Sequence, residues 1–159
     1  RIPTTLIGQV DAGIGIKGGV NFGEKKNYLG CFHPPEEVLI DPIYLQTLGR
    51  SELSAGLSEI VKIALACDRE LFLDLYHHGT QLLDSGIAEP CHRAREVIWQ
   101  SCQLMLNELA PNIYEDQTYE RKVDFGHTFS PKLEALSDYS VPHGHAVAAD
   151  MAISSALAH

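Results

Sequence analysis

Two histidines, a glutamate and a few lysines are the residues of this chain whose types and spacing could do chemistry. His127 lies in DFGHTFSP (124–131) and His143 in PHGHAV (142–147), sixteen residues apart, each beside a glycine and ahead of helix-compatible sequence. Neither belongs to an H-E-x-x-H zinc pattern. Joined by a carboxylate such as Glu59, they make the two-His, one-Glu donor set of a catalytic zinc site, which leaves a coordination position open for substrate or water. Spacing alone more often means a packed or surface histidine. His145 should point elsewhere on its helix, and His77 and His78 read as surface residues.

Glu59 falls in a run whose apolar residues, Leu53, Leu57, Ile60, Val61, Ala64 and Leu65, form one stripe at about 100° per residue. On this wheel Glu59 and Lys62 lie on the far side, three apart and hence neighbours. Ala55, Ile63 and Ala66 surround them there, which is unusual for a solvated face. The pair is either an exposed ion pair of a few tenths of a kcal/mol or part of a site, and the wheel does not separate the two.

A third signal is DAGIGIKGGVNFGEKKN (11–27), where glycines bare the backbone N–H groups beside Lys17, Lys26 and Asn27. Bare amides with point charges suit a phosphate. The segment has neither the P-loop spacing nor G-x-G-x-x-G, so the residues alone favour a plain flexible surface hairpin.

The elements that must position these groups are mostly helical. Pro3 suits the first turn of a helix through Leu6, Ile7 and Val10. A loop or short hairpin follows, then VLID (38–41) as a short buried strand closed by Pro42. Ser51 is the expected N-cap of a helix over 52–66, followed by helices over 69–83 and 92–109. Two more helices are expected from near Phe125 and His143.

The chain has 159 residues and 45% hydrophobic content, enough for one core. A net charge of −9 argues against nucleic acid or an anionic membrane as partner. No apolar run reaches the roughly 18–20 residues that span a bilayer. Cys31, Cys67, Cys91 and Cys102 form no C-x-x-C pair, which favours reduced thiols and a cytoplasmic setting. An opening Arg1 and an unfinished helical pattern at His159 suggest a piece of a longer protein.

Seven segments, in order, resemble the sugar-phosphate cyclase superfamily, whose best-known member is 3-dehydroquinate synthase: PTTLIGQVD (3–11), IKGGVN (16–21), KKNYLGCFHPP (25–35), LIDPIYLQTL (39–48), AGLSEIVK (55–62), VDFGHTFSP (123–131) and PHGHAV (142–147). The resemblance implies a mainly α fold: the helical metal- and substrate-binding domain of a dehydroquinate synthase-like α/β + α protein, with one or two short strands near its start. It implies that Glu59, His127 and His143 bind a divalent metal, Zn²⁺ or Co²⁺. It makes Lys17 and Asn27, with Lys26 nearby, the phosphate contacts, and Asp11 and Lys62 the contacts to substrate hydroxyls. Lys17, Asp11 and Lys62 are then the catalytic candidates.

Departures from the dehydroquinate synthase pattern narrow the reading. Pro131 stands where that pattern has a second histidine, Asp124 replaces an asparagine, and Glu120 occupies the position of a carboxylate-binding arginine, with Arg121 one residue along. No lysine occurs between Lys62 and Lys122. A pocket without those cations does not favour a carboxylate. DFGHTFSP and HGHAV instead resemble the C7-cyclitol synthases, those forming 2-epi-5-epi-valiolone foremost, which cyclise sedoheptulose 7-phosphate. Asp124 joins the substrate-binding candidates.

The resemblance further implies NAD as cofactor, a homodimer, and Lys62 biased by a nearby metal against holding its proton. The family's dinucleotide-binding domain precedes the PTT segment, so residues 1–159 are expected to be a partial metal- and substrate-binding domain, inactive alone. A 3-dehydroquinate synthase with altered carboxylate contacts and a non-catalytic metal-binding module are the alternatives.

Overall fold

The computed structural model describes residues 1–22, 25–87, 91–114, 116–117 and 121–159, with the side chains at 21, 25, 26 and 85 outside the description. A π-helical turn at Gly8–Ala12 leads into an antiparallel hairpin, β1 (Lys17–Phe22) and β2 (Lys25–Phe32), in which Lys17 pairs with Phe32. Among the described residues five α-helices follow: α1 (Arg50–Cys67), α2 (Arg69–Gln81), α3 (His92–Leu109), α4 (Ser130–Leu136) and α5 (His143–Ala158). The expected mainly α architecture with short strands near the start is what forms.

The helix α1 is the hub, packed by α2, α3, α5, the π turn and a 3₁₀ turn at Lys122–Asp124. Burial of Leu53, Leu57, Ile60 and Ala64 confirms the stripe, yet Ala55, Gly56, Glu59, Lys62 and Ile63 are buried as well. The far face of the wheel is therefore covered rather than solvated, while Leu65 of the stripe is exposed. Two glycines allow the close packing. A Cβ on Gly56 would meet the Leu6 side chain at 2.5 Å, and one on Gly144 would lie 2.0 Å from the Ala55 carbonyl oxygen. The start of α5 thus rests directly on the backbone of α1.

Regular periodicity explains α3. Ala94, Val97, Ile98, Ser101, Cys102, Met105 and Leu109 recur at three- and four-residue steps and are all buried. Each large apolar side chain of that face contributes roughly 1.5–3 kcal/mol. Asp68 caps α2, its Oδ1 accepting from the Glu70 and Leu71 amides at 2.9 and 3.0 Å.

Three local expectations are corrected and a fourth, the first helix, is refined. Residues 38–41 form no strand: Leu39 is exposed, and the Asp41 carboxylate instead accepts the Ile43 amide at 2.9 Å to start a 3₁₀ turn. The cap of α1 is Gly49, whose N–H donates to the Glu52 carboxylate at 2.7 Å, so the helix begins before Ser51. The first helical segment is π-wound from Gly8, with the Gly13 amide donating to the Gly8 carbonyl at 2.8 Å. No helix starts near Phe125, because Gly126 has φ +81°, outside the right-handed helical region. The helix begins at Ser130 with Pro131 in its first turn, where a missing N–H costs nothing.

Candidate active site

Three charged groups meet beneath a cavity. Glu59 and Lys62 share one face of α1 as i,i+3 neighbours and are 0% and 2% exposed. Lys62 Nζ makes an ion pair with Glu59 Oε2 and lies 3.2 Å from Asp11 Oδ2, which the π turn presents. Burial pushes the Glu59 carboxyl up to about 7, Lys62 opposing the shift and Asp11 adding to it. Burial also acts to raise Asp11, but the Lys62 charge and hydrogen bonding leave it below its ordinary value. Lys62 is shifted by its acidic neighbours. Desolvation disfavours its charge, yet Asp11 and Glu59 outweigh that and raise its pKa, so these neighbours favour the ammonium form.

Both histidines arrive from turns at the ends of short connections. His143 opens α5 where Gly144 crosses Ala55, which sets His143 Nε2 3.7 Å from Glu59 Oε1. Its other nitrogen, Nδ1, lies 2.8 Å from Oε1 of Glu134, a buried acid of α4. His127 follows the Gly126 turn rather than opening a helix, and its ring centroid stands 5.3 Å from that of His143. Burial first, then the Lys62 charge, lowers the His127 pKa and keeps the imidazole neutral.

This set fits a cation in its chemistry. With the proton of His143 on Nδ1, facing a carboxylate, Nε2 presents a lone pair. Opposite it stands Glu59 Oε1, a buried oxygen with no hydrogen-bond donor. Two acceptors facing each other call for a positive charge between them. Atoms bound to one Zn²⁺ at about 2.0–2.2 Å lie roughly 3.3–3.6 Å apart in tetrahedral geometry, close to the observed separation. Among the described residues, no three His, Cys, Asp or Glu side chains converge tightly enough to hold a metal as they stand. Lys62 lies against the other Glu59 oxygen.

Above the charges lies a cavity of about 760 Å³, lined by Asp11, Lys17, Asn27, Lys62, Asp124 and both histidines. All the substrate candidates with described side chains therefore share one chamber; the Lys26 side chain lies outside the described residues. Asn27 adopts the left-handed backbone (φ 53°) that asparagine tolerates. Arg121 lines the same cavity, and Asp124 engages its guanidinium twice, Nη2 to Oδ1 at 2.8 Å and Nε to Oδ2 at 3.3 Å.

Sequence reasoning missed Glu134 and Asp150. Asp150 of α5 accepts the Phe129 and Ser130 amides at the start of α4. Nothing local distinguishes either acid from a solvated helical one.

A family model described as 3-dehydroquinate synthase C-terminal matches residues 56–159, and one described as 3-dehydroquinate synthase N-terminal matches residues 1–55. The chain belongs to the 3-dehydroquinate synthase family. Within that family it is 50% identical over 163 residues to a 2-epi-5-epi-valiolone synthase of Streptomyces hygroscopicus subsp. jinggangensis (strain 5008), covering 100% of this chain and 39% of that protein. The solved structure of ValA (2-epi-5-epi-valiolone synthase) from that organism, with NAD⁺ and Zn²⁺ bound, superposes with a TM-score of 0.93 at 51% identity, covering 100% of this chain and 43% of that one. The 3-dehydroquinate synthase of Sulfolobus acidocaldarius is 36% identical over 160 residues, covering 99% of this chain and 44% of that protein. The chain spans about two fifths of the length of the curated relatives it matches. The motif resemblance is borne out, including its lean toward the cyclitol synthases.

Proposed function

We propose that the protein carrying this chain converts sedoheptulose 7-phosphate to 2-epi-5-epi-valiolone, eliminating phosphate and closing the carbocycle by an intramolecular aldol step. NAD⁺ and a divalent cation, Zn²⁺ or Co²⁺, would supply reversible hydride transfer and polarisation of the reacting hydroxyls. Glu59, His127 and His143 are the proposed metal ligands. Lys17 and Asn27 hold the phosphate at the glycine-rich wall of the cavity, with bare backbone amides beside them. Asp11 and Lys62 face substrate hydroxyls from below. Lys62 donates a hydrogen bond to oxygen that gains negative charge and takes part in proton transfer there.

One observation carries the choice of substrate. Among the described residues Arg121 is the arginine that lines the cavity, and Asp124 already takes two of its donors. Two opposed charges leave that wall with little net attraction for a carboxylate, whereas polar hydroxyls meet both an acceptor and a donor there. The four cysteines carry free thiols, which supports a reducing, cytoplasmic setting, and a homodimer completes the reading.

The full-length protein with NAD⁺ and Zn²⁺ tests this by phosphate release. Sedoheptulose 7-phosphate should turn over and yield 2-epi-5-epi-valiolone by NMR. Turnover confined to the carboxylate-bearing heptulosonate 7-phosphate would overturn it in favour of dehydroquinate synthesis.

A further inference from the structure

The hydrogen bond between Glu134 and His143 closes a loop through the fold. Glu134 belongs to α4, a helix of only seven residues whose short backbone ladder does little to hold its own position. Its start is tied instead to α5: Asp150 Oδ2 accepts the Phe129 amide and, at 2.7 Å, the Ser130 amide, while Ser154 Oγ donates to Asp150 Oδ1 at 2.9 Å. Its end is closed by the Tyr139 amide, which donates to the Glu134 carbonyl at 2.8 Å. From that braced helix the Glu134 carboxylate reaches back to α5 and meets His143 Nδ1 at 2.8 Å.

We propose that Glu134 is a positioning residue that sets the tautomer and facing of His143, so that Nε2 is held as a lone pair toward Glu59. The inference rests on the metal reading above. A carboxylate at Nδ1 keeps the ring proton on that nitrogen, and the opposite nitrogen becomes the donor atom. Without it, the ring can carry its proton on Nε2 and satisfy Glu59 Oε1 directly by a hydrogen bond, in competition with a cation. The 3.7 Å separation of these two atoms leaves room for either outcome after a small ring movement. Glu134 thus decides between a metal ligand and a hydrogen-bond donor.

The test uses the full-length protein and reads Zn²⁺ affinity by chelator competition, together with the visible absorption of the Co²⁺-substituted enzyme. Glu134→Ala should weaken Zn²⁺ binding about 10–100-fold and alter the Co²⁺ spectrum, with activity partly restored by excess metal. Glu134→Gln keeps an oxygen that accepts the Nδ1 proton, and should fall between Glu134→Ala and the parent, retaining the parent spectrum. If Glu134→Ala fails to fold, Glu134→Gln compared with the parent carries the test by affinity alone, a loss of about 3-fold or more being expected. Parent-like affinity and spectrum in the folded variants would overturn the proposal. His143→Ala separates the two levels: if it abolishes Zn²⁺ binding while the Glu134 variants bind normally, only the positioning role fails. If His143→Ala also leaves Zn²⁺ binding intact, the metal reading fails with it.

Discussion

The floor and one wall of the cavity invert the usual placement of residues. On the floor, Glu59 and Lys62 are buried with Asp11 beside them. On the hairpin wall, Val20 and Phe22 are 61% and 62% exposed, and Tyr28, Leu29 and Phe32 are exposed too. Burying an ion costs several kcal/mol even when it is paired. A two-stranded hairpin has little core and marginal stability of its own. The floor therefore depends on the surrounding helices for its geometry, while the wall is a surface supplied by backbone pairing. Precision is concentrated where charges must meet, and the glycine-rich wall carries groups that only need to approach a phosphate.

Replacing a floor residue should break this contrast most severely. Lys62→Ala leaves two carboxylates facing each other without their cation, and should cost about 3–5 kcal/mol, read as a lowered urea midpoint of the full-length protein. A midpoint within about 0.5 kcal/mol of the parent would mean that solvent reaches the pair. Next in size is Gly144→Ala. Its new methyl would meet the Ala55 carbonyl oxygen, pushing α5 from α1, and overpacking of this kind costs about 1–3 kcal/mol. Zn²⁺ affinity should fall along with the midpoint, because His143 moves with the helix; a drop in stability alone would show that His143 is placed independently of the crossing.

Asp150 offers a smaller, pH-dependent effect. Burial acts to raise its pKa, but the Ser130 and Phe129 amides and the Ser154 hydroxyl hold it below the ordinary 3.8. A depressed folded pKa means the stabilisation is complete above about pH 4 and is lost as pH falls further through the folded value. Asp150→Asn keeps an acceptor oxygen but loses the charge, so it should cost about 1 kcal/mol at neutral pH, the difference between a charged and a neutral acceptor, and its midpoint should converge with the parent's below pH 4. Parallel curves would deny Asp150 that role. Smallest of all, Val20→Thr on the exposed wall should stay within about 0.5 kcal/mol. A larger loss would show that part of the whole protein covers the hairpin.

Periodicity and motif order made much of the molecule readable. The span of α3 follows from apolar residues at helical steps, and the glycine-rich run marked a loop or short hairpin. Glu59 and Lys62 stood out because alanines and an isoleucine surround them. What failed was local in a different way. VLID has a strand's composition but no strand among the described residues pairs with it. Phe125 and Ser51 looked like helix starts, and the outcome was decided by one positive φ at Gly126 and by the Glu52 carboxylate meeting the Gly49 amide.

The order of residues alone determined which groups could do chemistry: a glutamate and a lysine three apart, two histidines beside glycines, and lysines among bare amides. Their charge states and mutual facing came from the tertiary structure. The Lys62 pKa is raised because Asp11, fifty-one positions away, shares its pocket, and His143 is aimed because an acid on a separate helix grips its other nitrogen. Electrostatic and hydrogen-bond terms depend on separation in space, and distance along the chain carries no record of them.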